Sequence, residues 1–366
     1  MKSLAIIGST GSIGKSSLNV YLKNRKNFNL LCLAANSNLK KLIKQKKKYK
    51  SKYAFLFNDN IKDKNLINKD LFLDKYKNKK IDYIISGMSG YQAIDINFQL
   101  LKICKNLLIA NKETIICGGP VFKKSAKKNN CNIIPIDSEH HCIDFFYKNF
   151  SNSKEVDKVY LTASGGPFYN KKINFNEKIK NVINHPTWKM GVKISVDSSN
   201  FANKVLELFE AMILFNLSYD KIKIKVEQNS LIHAIIKLKN NFLIPIIHVP
   251  KMEIPILNSL NLQNNFEFQT KNINFNICKP NLKKFPLINI GYKILKMNSH
   301  CAMIYFTVIN EKLANMYLKK VIKYGEITKI LIKVFNNKKI LKTTQKKIKN
   351  LSDIKKAIKF ADNLEL

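Results

Sequence analysis

Two carboxylates lie close together in a chain that is otherwise strongly basic. Asp137 and Glu139 fall within the segment 134–142, and on an extended backbone residues two apart point to the same side. Such carboxylates repel each other unless a cation lies between them, and oxygen ligands suit Mg²⁺ or Mn²⁺. The His-His-Cys run that follows lacks the spacing of a tetrahedral zinc site. The pattern predicts a divalent-metal site, with an exposed turn or helix cap as the alternative.

A second polar cluster consists of Ser198, Asn203, Lys204 and Glu207. If a helix begins near Ser199, the last three side chains lie on one face and Ser198 lies by the helix N-terminus. A hydroxyl, an amide, an ammonium group and a helix dipole favour a phosphate site, which Glu207 would extend with a third carboxylate. The alternative is a capped helix with an ordinary Lys–Glu pair.

Two loops that contain glycine and proline lie between these clusters. The loop 162–168 has two adjacent glycines and predicts a turn with exposed backbone donors. The loop 185–191 carries the only tryptophan, Trp188, between a proline and a glycine. A lone tryptophan is more often a core residue, whereas a short loop of this kind is a candidate lid.

The glycine-rich run Gly8–Gly14 follows an apolar segment at 4–7 and precedes a helix-like segment. Glycines at intervals of three let the backbone turn tightly and approach a pyrophosphate at a helix N-terminus. This context predicts dinucleotide binding, with a simple tight turn as the alternative. No acid occurs between Leu30 and Lys41 to bind a free ribose 2′-hydroxyl, so the sequence favours NADP over NAD.

The formal net charge of +39 is extreme, and Arg25 is the only arginine. A nucleic-acid-binding protein is one interpretation. However, lysines spread along the whole chain are usually solvated, and an excess of Lys, Asn, Ile and Phe is typical of an AT-rich genome. We therefore expect no specific nucleic-acid partner.

The remaining composition indicates a globular cytoplasmic protein. The seven cysteines form no Cys-x-x-Cys pair, which argues for reduced thiols. No apolar run reaches the roughly 18 residues of a membrane span, and the first residues predict a strand and not a secretory signal. We expect a cytoplasmic protein without a membrane partner.

Apolar runs alternate with amphipathic segments in the first third of the chain. Strands are predicted at 4–7, 30–35, 53–57, 81–86, 107–110 and 132–136, and helices at 16–24 and 91–105. Such alternation predicts a parallel sheet with right-handed crossovers. Farther on, strands are predicted at 158–162, 221–226 and 234–237, and a helix at 200–215.

The predicted fold class is α/β, in four consecutive parts. They are a Rossmann-like dinucleotide-binding domain (1–137), a central α/β catalytic domain that binds metal and substrate (138–261), a connecting segment (262–286) and a small C-terminal helical domain (287–366).

Taken together, these segments resemble the 1-deoxy-D-xylulose-5-phosphate reductoisomerase family. The motifs that carry the resemblance are GSTGSIG (8–14), ANKE (110–113), PIDSEH (135–140), ASGGPF (163–168), HPTWKMG (185–191) and KISVDSS…NK..LE..EA (193–211). They occur in one order over roughly residues 4–256. Two features depart from the family: Ser37 stands where members often have a basic residue, and only Asn310-Glu311 remains of an Asn/Ala-rich C-terminal helix.

The resemblance implies a role for each matching position. NADPH would be bound by Thr10, Gly11, Ser12, Ile13, Asn36, Ser37, Asn38, Asn111, Glu113 and Gly191. Mg²⁺ or Mn²⁺ would be bound by Asp137, Glu139 and Glu207, which with Lys112 form the catalytic set. Substrate would contact Lys112, Ser138, Glu139, Ser164, His185, Ser198, Asn203, Lys204 and Glu207. Trp188 and Met190 would belong to the closing loop.

The implied reaction is the NADPH- and metal-dependent rearrangement and reduction of 1-deoxy-D-xylulose 5-phosphate to 2-C-methyl-D-erythritol 4-phosphate, in non-mevalonate isoprenoid biosynthesis, by a homodimer. Two alternatives stay open. Another NADP-dependent semialdehyde dehydrogenase would need an activated cysteine, and no cysteine has a convincing catalytic context. A degenerate basic RNA-binding protein would be expected to lose the three carboxylates.

Overall fold

The computed structural model of the chain describes residues 1–58, 63–150, 153–188, 190–263, 266 and 275–365. Backbone contacts group the chain into two compact units. The first comprises Met1–Thr114, Phe122–His141 and Lys251–Asn265, and the second comprises Ile115–Val121, Cys142–Pro250 and Phe266–Leu366. The division into four consecutive parts stays a prediction.

In the described part of the first unit, six strands form a parallel sheet in the order β3-β2-β1-β4-β5-β6. They are β1 (Lys2–Ile7), β2 (Phe28–Ala35), β3 (Tyr53–Leu56), β4 (Ile81–Ser86), β5 (Cys104–Ile109) and β6 (Asn132–Pro135). The near-continuous apolar runs of β1 to β5 are buried, as expected for a parallel sheet covered on both faces, whereas the edge strand β6 is only partly buried. Each predicted strand is confirmed, and the predicted α/β fold with it.

In the described part of the second unit, five strands form a mixed sheet in the order β10-β9-β7-β8-β11. They are β7 (Val156–Ala163), β8 (Ile222–Glu227), β9 (Ile232–Leu238), β10 (Leu243–Ile247) and β11 (Ile277–Cys278). The pair β7–β8 is parallel and the other pairs are antiparallel. β10 and β11 were not predicted, because both are short edge strands without strict alternation of apolar and polar residues.

The described α-helices alternate with the strands and then continue alone. They are α1 (Ser12–Lys23), α2 (Leu39–Tyr49), α3 (Lys69–Lys75), α4 (Ile94–Ile103), α5 (Lys112–Lys128), α6 (Ser138–Asn149), α7 (Ile179–Val182), α8 (Val192–Ser199), α9 (Ala202–Phe215), α10 (Glu253–Ser259), α11 (Leu287–Met297), α12 (His300–Leu318), α13 (Tyr324–Asn336), α14 (Lys338–Thr343) and α15 (Leu351–Asp362). The run from α11 to α15 confirms the predicted helical C-terminal region. Within the described ranges, no helix is both long and apolar enough to cross a membrane.

Two local predictions about the polar clusters were wrong. The backbone is not extended through Glu139, because β6 ends at Pro135 and α6 begins at Ser138, which places Glu139 in a first helical turn. The helix predicted over 200–215 is preceded by a separate helix, α8. Phe201 between them adopts a left-handed conformation with φ +66°, so Ser198 lies in the last turn of α8 and not at the N-terminus of α9.

Candidate functional site

The glycine-rich turn after β1 is closed by backbone contacts that leave no room for side chains. The backbone N–H groups of Gly8 and Ser9 both donate to the carbonyl oxygen of Ala34, at 2.8 Å each. A Cβ atom on Gly14 would overlap with Gly8 O and with Ser9. Only glycine therefore allows α1 to begin this close to the turn.

The four residues of this turn that were predicted to contact cofactor lie where α1 begins. Thr10 is half-buried, whereas Gly11 and Ser12 are exposed at the start of the helix. Ile13 packs on the loop after β4, since a Cβ on Gly87 would lie 3.0 Å from Ile13 Cβ. A helix leaves the N–H groups of its first turn unsatisfied, and such groups bind phosphate.

A cavity of about 400 Å³ opens at the carboxyl ends of β1, β2 and β4. Its described lining residues are Gly8, Thr10, Gly11, Asn36, Phe57, Lys69, Gly87, Met88, Ser89, Gln92, Ala93, Asp95, Ile96 and Gln99. Strand order reverses between β1 and β4, which is where parallel sheets of this kind bind dinucleotides. Of the three positions predicted near the 2′-phosphate, Asn36 lines the cavity and Ser37 does not. Asn38 caps α2, since its side chain accepts from the Lys41 backbone N–H at 3.1 Å.

Asn111 and Glu113 are buried and organise the wall of this cavity. The Asn111 side chain caps α5 by accepting from the Thr114 backbone N–H at 2.7 Å. Its amide group donates to the carbonyl oxygens of Met88 and Gly90 at 3.2 and 3.1 Å, and to Glu113 Oε2 at 3.2 Å. Asn111 therefore holds the loop that carries the lining residue Met88, and Glu113 helps to orient the Asn111 amide.

The first acidic cluster is paired with a buried lysine of the same unit. Lys112 is 5% exposed, and its Nζ lies 3.0 Å from an oxygen of Asp137. The other oxygen of Asp137 lies 3.0 Å from Nδ1 of His140. The Ser138 hydroxyl donates to Glu139 Oε2 at 2.6 Å. The structure thus brings four predicted site residues together at the ends of β6, α5 and α6.

The second cluster is a charged network on α9 within the other unit. Glu207 is 1% exposed; one of its oxygens lies 2.5 Å from Lys204 Nζ and the other accepts from the Asn203 amide at 2.5 Å. Lys204 Nζ also donates to the carbonyl oxygen of Thr162 at 2.6 Å. The predicted common face of α9 is confirmed, and the network is anchored to the end of β7.

His185 is held as a neutral imidazole beside Ser164. Its Nδ1 accepts from the backbone N–H of Trp188 at 3.0 Å, so the proton lies on Nε2, which is 3.0 Å from Ser164 Oγ. Burial, with a smaller effect of the positive charge of Lys204, lowers the pKa of His185 to about 4. Ser164 Oγ accepts in addition from the Gly166 backbone N–H at 3.2 Å, which leaves its own hydrogen available to donate to a ligand.

Ser198 faces the adjacent glycines of the loop after β7. Gly166 has φ +67°, and a Cβ there would lie 2.7 Å from the carbonyl oxygen of Ser198. The close approach requires glycine and connects the loop to the last turn of α8. Ser198 therefore takes its position from this contact and not from a helix N-terminus.

The predicted lid loop lies within the described residues except for Lys189. Trp188 is half-buried, and its ring meets the edge of the His233 ring at 6.1 Å between centroids. His233 stacks on His248 at 3.7 Å. Met190 is half-buried, and Gly191 caps α8 with open space around the position of a Cβ. Closure of this loop stays a prediction.

Some residues that support the clusters were missed by sequence reasoning. Asp197 is buried, with Lys193 Nζ at 2.7 Å, and accepts from the Asn310 amide at 2.9 Å. This contact attaches α8 to α12, 113 residues farther along the chain. The retained Asn310-Glu311 pair was a signal, but its partner was not visible from spacing.

The chemistry of both regions fits the groups that the sequence predicted. Gly14 has no room for a Cβ against Gly8 and Ser9, so the start of α1 packs closely on the turn, as in folds that bind a pyrophosphate at this helix N-terminus. Asp137 and Glu207 are each paired with a lysine ammonium group. A carboxylate that already holds one cation has the ionised oxygens that Mg²⁺ or Mn²⁺ requires.

Comparison with known families gives three matches in chain order. Residues 4–119 match the model of 1-deoxy-D-xylulose 5-phosphate reductoisomerase. Residues 133–215 match the C-terminal domain model of that enzyme, and residues 247–362 match the model of the DXP reductoisomerase C-terminal domain. The last match covers the C-terminal region, in which the sequence retains few of the family's motifs.

Individual relatives extend over nearly the whole chain. The 1-deoxy-D-xylulose 5-phosphate reductoisomerase of Pelagibacter ubique is 37% identical, covering 97% of this chain and 96% of the relative. That of a Sulfurihydrogenibium species is 36% identical, covering 91% and 90%.

Solved structures agree with this relationship. A crystal structure of DOX-P reductoisomerase with NADPH, fosmidomycin and magnesium is 26% identical, with a TM-score of 0.88, covering 99% of this chain and 97% of that one. The Zymomonas mobilis enzyme in complex with NADPH has a TM-score of 0.85 at 23% identity, covering 99% and 97%, and supports the fold.

Proposed function

The chain belongs to the 1-deoxy-D-xylulose 5-phosphate reductoisomerase family, and from this membership we propose how its own residues perform the reaction. It converts 1-deoxy-D-xylulose 5-phosphate to 2-C-methyl-D-erythritol 4-phosphate with NADPH and a divalent metal. The observation that carries this conclusion is the relationship over nearly the full length, because the glycine turn and both acidic clusters lie inside it.

We propose that the glycine turn and the cavity beside it bind NADPH, which supplies the hydride. Backbone N–H groups at Ser12 and Ile13 would receive the pyrophosphate, because the first turn of α1 leaves them unsatisfied. The N–H of Gly11 donates to the carbonyl oxygen of Gly8 at 3.0 Å, so Gly11 would contact the cofactor through its exposed backbone, which has no side chain to block the approach. Thr10 and Asn36 would contact the sugar–phosphate part from the lining of the cavity. The remaining predicted contacts are Ser37, Asn38, Asn111, Glu113 and Gly191.

We propose that the carboxylates of Asp137, Glu139 and Glu207 bind Mg²⁺ or Mn²⁺. The cation supplies Lewis acidity toward the ketone and hydroxyl oxygens of the substrate. Lys112 would balance the negative charge of Asp137, from which it lies 3.0 Å away, and would donate to a substrate oxygen. Lys204 would do the same beside Glu207.

We propose that the substrate phosphate is bound by hydroxyl, amide and ammonium groups of the second unit. The Ser164 hydroxyl has two donors directed at its oxygen, so its own hydrogen can be donated to a phosphate oxygen. The neutral form of His185 suits this role because it keeps Nδ1 as an acceptor for the loop backbone. Further contacts would come from Ser138, Ser198, Asn203 and Lys204.

We propose that the loop with Trp188 and Met190 closes over the bound substrate and excludes water. Trp188 is half-buried against His233 and the loop backbone is held by His185. The apolar side chains would then lie over the reacting carbons, where exclusion of water protects the aldehyde from side reactions.

The decisive experiment is a spectrophotometric assay of NADPH oxidation with 1-deoxy-D-xylulose 5-phosphate. Turnover is expected with added Mg²⁺ or Mn²⁺ and should stop when a chelator is added. The product is identified by mass spectrometry as 2-C-methyl-D-erythritol 4-phosphate. Folded protein that binds NADPH yet gives no turnover with either metal would contradict the proposal.

We also propose that the enzyme is a cytoplasmic homodimer. The resemblance to the family supports the dimer, and the seven cysteines, which all lie within the described residues and form no disulfide there, suit a reducing compartment. Light scattering at assay concentration should give twice the mass of the 42.2 kDa chain. A monomer with full activity would contradict the dimer, and cell fractionation tests the compartment.

A further inference from the structure

Lys41 is directed from α2 toward the glycine-rich turn. It lies in the first turn of that helix, and its Nζ donates to the carbonyl oxygen of Thr10 at 2.5 Å. Thr10 is itself a lining residue of the cavity after β1. The ammonium group of Lys41 is therefore held at the rim of the cofactor cavity by the backbone of the turn.

A second lysine lies beside the first. Lys15, in the first turn of α1, is the charged neighbour of Lys41, and burial together with this neighbour lowers the pKa of Lys41. Across the described ranges, neither lysine forms an ion pair with a carboxylate. Two ammonium groups held together without a counter-ion repel each other, and an anion bound between them would relieve that repulsion.

The position of the pair matches one part of a dinucleotide. In a Rossmann-type sheet the ribose 2′-position lies at the end of β2, and here Asn36 follows β2 and lines the cavity. The neighbouring residues supply no positive charge, because Ser37 is neutral and the Asn38 side chain is engaged as the cap of α2. A phosphate at this position needs cations from elsewhere.

Other charged groups of the cavity do not take this role. Lys69 lies at the start of α3, and its ammonium group is 4.0 Å from the Asp70 carboxylate. Of the described lining residues, Asp95 carries the one carboxylate, and it belongs to α4 beyond β4. The cationic side of the cavity near Thr10 is thus formed by α1 and α2.

We propose that Lys41, assisted by Lys15, binds the 2′-phosphate of NADPH and sets the preference of this enzyme for NADPH over NADH. The inference rests on the proposed use of NADPH and deepens it by naming residues that the family motifs did not indicate. The two ammonium groups would replace the basic side chain that is missing at Ser37. Their positive charge would attract the dianionic 2′-phosphate of NADPH, whereas the neutral 2′-hydroxyl of NADH would gain no more from them than from a neutral residue.

The test measures binding of 2′,5′-ADP and 5′-AMP by calorimetry, which needs no turnover. Lys41→Gln should weaken the binding of 2′,5′-ADP roughly 10- to 100-fold, as expected when a charge-assisted hydrogen bond is lost. The Kd for 5′-AMP should change by less than about 2-fold. Lys15→Gln should have a smaller effect in the same direction. The matched control is Lys40→Gln, which removes an exposed charge from the same turn of α2 and should change neither ligand by more than about 2-fold.

A kinetic readout sharpens the test. The ratio of kcat/KM with NADPH to that with NADH should fall in Lys41→Gln, and Lys41→Arg should restore most of the ratio. Equal losses for both nucleotides, or no loss for either, would overturn the inference, with thermal melting showing that the variant is folded. Wild-type protein that binds 2′,5′-ADP tightly but does not turn over substrate would instead count against the proposed function.

Discussion

The glycine turn of the first unit and the charged face of α9 in the second unit, which we propose as ligand sites, differ in the groups that they offer to a ligand. The turn uses backbone groups, and its key residues are those without a side chain, such as Gly14. The face of α9 uses buried ionic side chains, Lys204 and Glu207, that neutralise each other at 2.5 Å. The first region is therefore sensitive to added volume, and the second to a change of charge.

This difference predicts which property each substitution changes. Added volume in the turn should alter folding or nucleotide affinity. An altered charge on α9 should alter turnover and substrate affinity but leave nucleotide binding intact, since the two contact sets share no residue.

The largest effect is expected for Glu207→Gln. Loss of one carboxylate charge from the proposed metal ligands should lower kcat on the order of a thousand-fold or more, while the Kd for NADPH stays within about 2-fold. Turnover is measured by NADPH oxidation and binding by NADPH fluorescence. Glu155→Gln, which makes the same change at an exposed position, is the control. Unchanged turnover would refute the metal assignment. Loss of NADPH binding would contradict the expected independence of the α9 face and the glycine turn.

Next in size is Lys204→Gln. The amide cannot neutralise Glu207 or replace the ammonium group that donates to Thr162 O at 2.6 Å, so kcat/KM for substrate should fall about 100-fold. The KM for NADPH should not change, which separates a substrate defect from a general one. Lys239→Gln, on an exposed turn of the same unit, should behave as wild type. A parallel rise in both KM values would indicate a folding defect.

Two glycines test the volume argument within the turn itself. Gly14→Ala should reduce the free energy of unfolding by roughly 1–3 kcal/mol, because its Cβ would overlap with the backbone of the turn. Gly11→Ala should fold normally, because its Cβ would meet only Gly8 O at 3.3 Å and Gly87 O at 3.8 Å. The methyl group should still weaken NADPH binding about tenfold, because it would occupy space through which the pyrophosphate approaches the backbone. Urea titration and NADPH fluorescence distinguish the two outcomes; equal stability of both variants would contradict the close approach.

The smallest effect is a pH dependence of stability from His185. Its pKa falls from 6.5 in the unfolded chain to about 4 in the fold, so the unfolded state binds an extra proton between these values. Stability should therefore decrease as the pH falls from about 6.5 to 4, by roughly 1–3 kcal/mol after allowance for partial exposure. His185→Gln should remove this part of the slope in urea titrations. Burial also lowers the pKa values of His248 and His300, so part of the pH dependence should remain in the variant. The same slope in His185→Gln and wild type would contradict the assignment of this effect to His185.

Local patterns were sufficient for much of the fold. The buried strands of the parallel sheet were predicted because each is a short apolar run bounded by polar segments, and the glycine turn was recognised because its residues are adjacent. The motifs also identified the candidate site residues, although their individual roles stay predictions. Errors arose at polar junctions, where the conformation of Glu139 and Ser198 depends on where α6 begins and α8 ends.

The amino-acid sequence by itself determined the α/β class, the glycine turn between β1 and α1 and the chemical character of the two acidic clusters. Each of these follows from residue types within about ten positions of one another, where periodicity and steric limits act directly. Tertiary structure alone decided that Lys112 meets Asp137, that Lys204 reaches Thr162, and that Lys41 reaches the turn at Thr10. Those contacts depend on how helices pack on their sheets, which brings together residues that no local spacing relates.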